Sequence, residues 1–567
     1  MPWKKVQRHV FRLQKRMSRA AQRADVSTVH KLPKWLVQSW YARLWAVRRI
    51  TQDNRGKHTA GIDGAKTRTP PQRWRLANAL HLDGTATALR RLWIPKRGSK
   101  TAKRPLGIPT QADRTRQTVV RPALEPAGEA KRSPHTSGFR PGRSCHDASG
   151  AICTALRFRP PHALKLEMAQ GFARIEHPAR LAKGQAPPRI RRPLPAWLNA
   201  GMLDDAPLAP PTAGTPQGGS GSPLLALRAL HGREKAITRV SPHARVIAYA
   251  DAGVVLHAER QVLAHCQEWL KTWLAERGLS LHAAKSRMAH TFESARPGCA
   301  CLGCALRQYR VSKSHAGQGP GGHGRLGFKT LSKPAKAKVQ DPLAALGRVI
   351  KRGQALPPGP LSRQRNPIMR GWANYYRIGV SYAVYERLDP LTWSTLRHWA
   401  RWRHPRQSTA WAIRRYWHRV GTRLPFATSA TDPEAAHLLA HSEGPMTRQV
   451  QVQGHRRPYD GAWVDGSTRQ GRHPKVGARR ARWLKQPHGR CRRCGLFCQQ
   501  DDRMAVDHRH GHHRDARSVN LQALHGHCHE AKTREHGDYL PPGRRDKHQH
   551  TEERREAKAT RAVLEQR

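Results

Sequence analysis

The sequence predicts a multidomain α+β protein. A chain of 567 residues is too long for one ordinary hydrophobic core, so it divides. Between about residues 85 and 300, short apolar stretches alternate with helical ones, the pattern of an α+β domain. From about 330 to 420 the pattern turns helical and rich in tryptophan, and residues 486 to 540 are dense in Cys and His.

In chain order, residues 1–84 read as basic helices broken by "GIDGAKTRTP", a Gly- and Pro-containing stretch. The first 26 residues are Arg-rich and poor in acid. They read equally as a transit peptide or as a basic helix on RNA. Residues 85–310 form the α+β domain and 311–425 a helical domain. Residues 426–485, with Gly, Pro and many basic side chains, read as a linker region. The Cys/His module spans 486–540, and 541–567 is a charged tail of marginal helicity.

Lys and Arg number 104 against 38 Asp and Glu, a formal net charge of +66 spread along the chain. Such a chain repels itself unless it meets a polyanion, and nucleic acid is the expected partner. No apolar run is long enough to span a bilayer, so no membrane role is expected. Many of the 17 tryptophans sit beside arginines, as in "LRHWARWRHP" (396–405). That interleaving suits base stacking with phosphate contact, and it equally suits a helical core with basic flanks. The ten cysteines do not suggest a disulfide framework, because several cluster at metal-ligand spacing.

Cys491-x-x-Cys494 is answered by His525-x-x-Cys528. Two such pairs can close a tetrahedral structural Zn2+ site. Cys498 is a spare thiol and His527 a competing ligand. "CACLGC" (299–304) has no complementary Cys/His group at suitable spacing. Cys299, Cys301 and Cys304 therefore read as small buried hydrophobes. "IAYADAGVV" (247–255) reads as strand, tight turn and strand, with Asp251 in the turn. Two-metal polymerase sites tend to place two adjacent acids in such a turn; here Ala252 follows.

Further blocks lie around that turn: "KRPLGIPTQADR" (103–114), "SGFRPGRSCHDA" (137–148), "LKLEMAQGFARIEH" (164–177), "GTPQGGSGSPLL" (214–225) and "GLSLHAAKSR" (278–287). With them the sequence resembles the group II intron-encoded reverse transcriptase/maturases. "LGFKTLSKPAK" (326–336) and "RNPIMRGWANYY" (365–376) resemble the maturase (X) domain, and 448–475 resembles the DNA-binding region of the family. Asp507-His508, Asn520 and His529 resemble an HNH, or ββα-metal, nuclease motif. The resemblance implies right-hand reverse transcriptase fingers and palm, a helical thumb and a small HNH domain.

It also implies roles. Asp251 matches the first acid of the polymerase turn, and Glu167 stands where a first-strand Asp belongs. Together they would hold Mg2+ or another divalent ion. Tyr249, Gln217, Gly218 and Lys285 match positions lining the nucleotide and template site. Ala173, Arg174 and Ala248 stand where the family usually has Asp, Asn and Arg. In the nuclease motif, Asp507 and His529 would hold a catalytic divalent ion, His508 would serve as general base, and Asn520 would orient His508. A carboxylate one methylene longer at Glu167 displaces its oxygens by about an ångström, an error that can cost on the order of a hundredfold in rate.

Three functions compete: a full retroelement enzyme, a splicing factor that only binds RNA, and a DNA nuclease whose upstream region merely binds nucleic acid. Gripping RNA needs basic and aromatic surfaces, which are present. Polymerisation needs a strict carboxylate set, which is altered. The favoured expectation is an intron maturase that binds group II intron RNA, nicks target DNA and has an impaired RNA-directed DNA polymerase. Its expected setting is the bacterial cytoplasm or nucleoid, with an organelle and a homodimer left open.

Overall fold

The computed structural model describes residues 1–66, 68–95, 101, 103–169, 186–203, 218–293, 297–322, 324–420, 422–427, 437–447, 449–452, 454–459, 483, 489–498, 502–510, 515, 517 and 519–535. Gln217, Ala173 and Arg174, most of the 448–475 block and the charged tail lie outside these residues.

The N-terminal unit is helical. Helices α1 (Trp3–Gln22), α2 (Val26–Gln38) and α3 (Trp40–Arg48) pack with the long α5 (Gln111–Lys131). Val6, Val10, Leu13 and Met17 recur at helical spacing on the buried stripe of α1, and its arginines and lysines face out. After α3 the backbone widens into one broad turn over Arg49–Asp53, and α4 (Pro70–Asn78) follows. The hairpin β1 (Leu89–Pro95) and β2 (Lys103–Ile108) is antiparallel, and β1 also pairs in parallel with the short β4 (Met202–Leu203).

The central sheet has the order β5-β6-β3-β7, from β3 (His162–Glu167), β5 (Arg245–Tyr249), β6 (Ala252–His257) and β7 (Arg287–His290), every pair antiparallel. Strand alternation divides its side chains. Leu164, Leu166, Val246 and Val255 face a core closed by α9 (Ser222–Ala229), α10 (Arg233–Val240) and α11 (Arg260–Ala275). Ala163, Ile247, Val254 and Leu256 face the opposite core, shared with α6 (Cys145–Ala155) and the sheet β8-β9-β10 (Cys299–Cys301, Cys304–Arg310, Phe328–Pro334). The short helices α7 (Pro188–Arg191) and α8 (Pro193–Asn199) join the N-terminal core.

Four helices follow: α12 (Lys336–Arg352), α13 (Pro358–Tyr376), α14 (Tyr382–Arg403) and α15 (Thr409–Tyr416). Their tryptophans divide by position. Trp399 and Trp417 are buried in an aromatic core with Tyr416 and Phe426, and Trp402 is 58% exposed between two arginines. The core reading of the Trp/Arg stretch holds at Trp399, while Trp402 on the same helix stays at the surface.

The segment that leaves this helical unit returns across the earlier domains. Asp147 of α6 accepts the Val452 N–H at 3.3 Å, Arg457 Nε donates to the Glu129 carbonyl at 2.7 Å, and the buried Tyr459 hydroxyl donates to Glu125 at 2.8 Å. The last described unit is a small ββα fold: the hairpin β11 (Met504–His508) and β12 (Leu521–His525), then α16 (Gly526–Glu535). Among the described residues no helix is long and apolar enough to cross a membrane.

Candidate functional site

The turn between β5 and β6 is a two-residue hairpin, Ala250-Asp251, closed by the pairing of Tyr249 with Ala252. Such turns need left-handed backbone, and Ala250 takes it with φ of 52°. Residues 135–137, just before "GFRPGRS", lie along β5: Ser137 N–H donates to the Ala248 carbonyl at 2.8 Å, and Ala248 N–H donates to that of His135 at 3.0 Å. Gly138 then meets the turn so closely that an added Cβ would sit 2.0 Å from the Ala250 nitrogen. Beneath it Arg140 and Arg132 close on the buried Glu129, at 2.9 Å each. Burial alone would raise the Glu129 carboxyl, but the two guanidiniums hold it below the usual range. Gly218, at φ of 138°, packs its bare Cα where a Cβ would lie 2.4 Å from the Gly107 carbonyl of β2.

Glu167 ends β3 and lies in register with Ala252 of β6. Lys165, two residues back, shares its face, as strand geometry requires. Lys165 Nζ lies 3.2 Å from one Glu167 oxygen and Lys285 Nζ 3.1 Å from the other. Burial would raise Glu167, but these lysines hold it below its ordinary value. Asp251 moves the other way: burial pushes it up and the negative Glu167 adds to that, against its own backbone N–H, Arg233 and Arg104. The structure thus brings Glu167, Asp251, Tyr249 and Lys285 to one end of the sheet. Sequence reasoning missed Lys165 as a partner, although its i, i+2 spacing to Glu167 was the available signal.

Cys299, Cys301 and Cys304 lie in the core behind this site. Burial pushes Cys301 up to about 11 and Cys304 up to about 12, so they pack as neutral thiols.

In the ββα unit, Cys491, Cys494, His525 and Cys528 are all buried, and their donor atoms lie within 4.8 Å of one another. His525 turns Nδ1 to within 3.2 Å of Cys494 Sγ. Three thiols and one imidazole, converging from a tight turn and a strand–helix junction, fit a tetrahedral Zn2+ site. The clustered thiols shift in opposite directions: hydrogen bonding with Cys494 and Cys528 holds Cys491 far below its usual value, and hydrogen bonding with Cys491 and Cys494 holds Cys528 far above. His527 stands apart from the four, stacked on His525 at 5.1 Å. Burial and the Arg48 guanidinium push its imidazole down to about 3. Burial pushes the Cys498 thiol up to about 11.

Asp507 and His529 come together, Oδ1 to Nε2 at 3.7 Å. Gln522 and Lys532 bind the other Asp507 oxygen at 2.7 and 2.8 Å, and Lys532 also reaches the His508 carbonyl. Neither residue was singled out from sequence. Asn520 takes the His510 N–H on Oδ1 and donates from Nδ2 to the Asp515 carbonyl, each at 3.0 Å, which pins the loop between the strands. His508 ends β11 at the mouth of that loop.

An antiparallel sheet with carboxylates at its hairpin, preceded by basic helices and followed by a helical unit, fits a reverse-transcriptase-like protein. Family comparison agrees. Residues 1–80 match the N-terminal domain of reverse transcriptase, 94–324 the reverse transcriptase (RNA-dependent DNA polymerase) domain, and 340–417 the group II intron maturase-specific domain. These matches support a group II intron maturase/reverse transcriptase-like assignment. It is 33% identical over 210 residues to Protein YkfC of Escherichia coli, covering 34% of this chain and 51% of that protein. It is 28% identical over 200 residues to Maturase-like protein 1 of Euglena gracilis (33% and 42%), and 32% identical over 194 residues to Group II intron-encoded protein LtrA of Lactococcus lactis (33% and 32%). The chain thus spans about half or less of the length of these relatives.

Proposed function

We propose that this protein is an intron maturase that grips group II intron RNA to assist splicing, nicks target DNA through a C-terminal HNH site, and has an impaired polymerase site. The observation that carries the contrast is the different state of the two acidic sites. At the polymerase end, Glu167 is held by two lysines opposite an alanine. In the ββα unit, Lys532 and Gln522 take one Asp507 oxygen and leave the other facing His529, beside a four-donor cluster.

RNA would be held by the basic surface together with exposed rings such as Trp35, Trp74, Trp93 and Trp402. In the nuclease site, a divalent ion held by Asp507 and His529 would supply positive charge to a scissile phosphate. His508 accepts the proton of the attacking water. Asn520 fixes the loop that presents His508, and Lys532 ties Asp507 to the carbonyl end of β11. Cys491, Cys494, His525 and Cys528 would hold a Zn2+ that ties the two ends of the motif together.

The test is double-stranded DNA nicking by the full chain with Mg2+, alongside binding of a group II intron RNA. The wild type should nick, and His508→Ala should lose nicking by at least about a hundredfold with RNA affinity intact. Equal nicking by His508→Ala would end the nuclease reading.

A further inference from the structure

The ββα unit docks on the N-terminal helices, and its zinc cluster sits at that junction. Asp502, its side chain 5% exposed, lies between the two units. Its Oδ1 meets Arg49 Nη1 at 3.0 Å, and its Oδ2 lies 3.4 Å from Nε2 of His525. The Nδ1 of the same imidazole faces the thiols. Arg49 belongs to the widened turn after α3, where Asp53 also holds Arg48 at 3.1 Å. The Arg48 guanidinium covers the Trp3 ring at 4.8 Å, and Trp3 meets His527 edge-on at 6.3 Å. Glu530 of α16 lies within electrostatic reach of Arg73 on α4.

We propose that zinc binding and the docking of the N-terminal domain are one coupled equilibrium, transmitted through Arg49, Asp502 and His525. This rests on the reading of the four-donor cluster as a zinc site. A ligating imidazole needs its second nitrogen fixed, because a carboxylate there sets both the tautomer and the ring angle. Here Asp502 is that carboxylate, and it is a positioning residue, one atom shell outside the metal. Its own position is set from the other domain. One oxygen pairs with Arg49 and the other lies toward the His525 imidazole, so the carboxylate is positioned from both units. The guanidinium offers a planar, permanently charged donor array for this, which a lysine at 49 would replace only in part. Coupling of this kind is reciprocal: whatever docking adds to zinc affinity, zinc adds to docking.

The experiment uses the full chain with Zn2+ as ligand and Co2+ as its spectroscopic substitute. Zinc affinity is measured by competition with a chromophoric chelator in the wild type, Asp502→Asn, Arg49→Ala and Arg49→Lys. The thiolate-to-Co2+ bands show whether each variant keeps the same donor set. Protease cleavage within residues 1–53 is followed with and without zinc.

Asp502→Asn should weaken zinc about 10–100-fold. Arg49→Ala, remote from the metal, should weaken it by about fivefold or more, with partial recovery in Arg49→Lys and unchanged Co2+ bands. Chelation should expose residues 1–53 of the wild type to protease. Zinc affinity of Arg49→Ala equal to that of the wild type overturns the coupling and leaves the zinc reading standing. A wild-type chain that takes up neither metal overturns both.

Discussion

Glu167 and Ala252 are cross-strand partners in the central sheet. The two positions that the resemblance sets against the polymerase pattern are therefore neighbours, with Cβ atoms about 5 Å apart by strand geometry. One carries a glutamate and the other an alanine where the resemblance implies aspartates. The lengthened carboxylate is neutralised by Lys165 and Lys285 rather than left to face the turn alone.

The first prediction concerns that pair. Glu167→Asp with Ala252→Asp should raise primer extension on an RNA template, with Mg2+ and dNTPs, by about a hundredfold. RNA binding should not change. Extension by the natural protein at the double variant's rate would show its site to be competent as it stands.

The second uses the opposite shifts of the two acids. Asp251 has a folded-state pKa above its ordinary value, so its ionisation costs stability. That cost is absent in acid, grows as pH rises through the window above the unfolded value, and is complete above the folded one. Glu167 is held below its ordinary value, so its contribution is present above the unfolded pKa and lost as pH falls through the folded one. Asp251→Asn should therefore raise Tm at neutral pH, and Glu167→Gln should lower stability there by ~1 kcal/mol or less. Both differences should shrink as pH falls through the carboxylate range. Thermal melts across pH check the two signs.

The third concerns Gly138. Gly138→Ala would drive a methyl into the backbone of the Ala250-Asp251 turn. The expected loss is about 1–3 kcal/mol. Denaturant unfolding measures it, and a neutral result would mean the turn and the "GFRPGRS" segment do not pack this closely.

The fourth concerns Arg365 of α13, which is fully buried, and none of its three guanidinium nitrogens has a hydrogen-bond partner among the described residues. Burial pushes it down to about 9. Arg365→Met keeps much of the volume and removes the buried charge, so it should stabilise the chain by about 1–4 kcal/mol. A lower Tm for Arg365→Met would assign the guanidinium a role in packing.

Local pattern explains what was legible from sequence. Strands β5 and β6 showed as apolar runs around one acid, and the metal cluster showed because Cys491/Cys494 and His525/Cys528 repeat a short spacing. The helices after 336 showed through their periodic apolar residues. Other features depend on distance along the chain. Lys285 reaches Glu167 only because β7 lies beside β3. Asp502 has no motif of its own and gains meaning only when Arg49 arrives from the other end of the chain. The segment 449–459 reads as a basic linker because single hydrogen bonds, not an apolar stripe, hold it to α5 and α6.

That return path has a consequence for biosynthesis. The ribosome releases Trp3, Arg48 and Arg49 long before it makes Asp502 and His525. Until then the face that will receive the ββα unit, with Trp3, Arg48 and Arg49, has no Asp502 or His525 to meet it. That surface is therefore completed late in synthesis, by residues far along the chain.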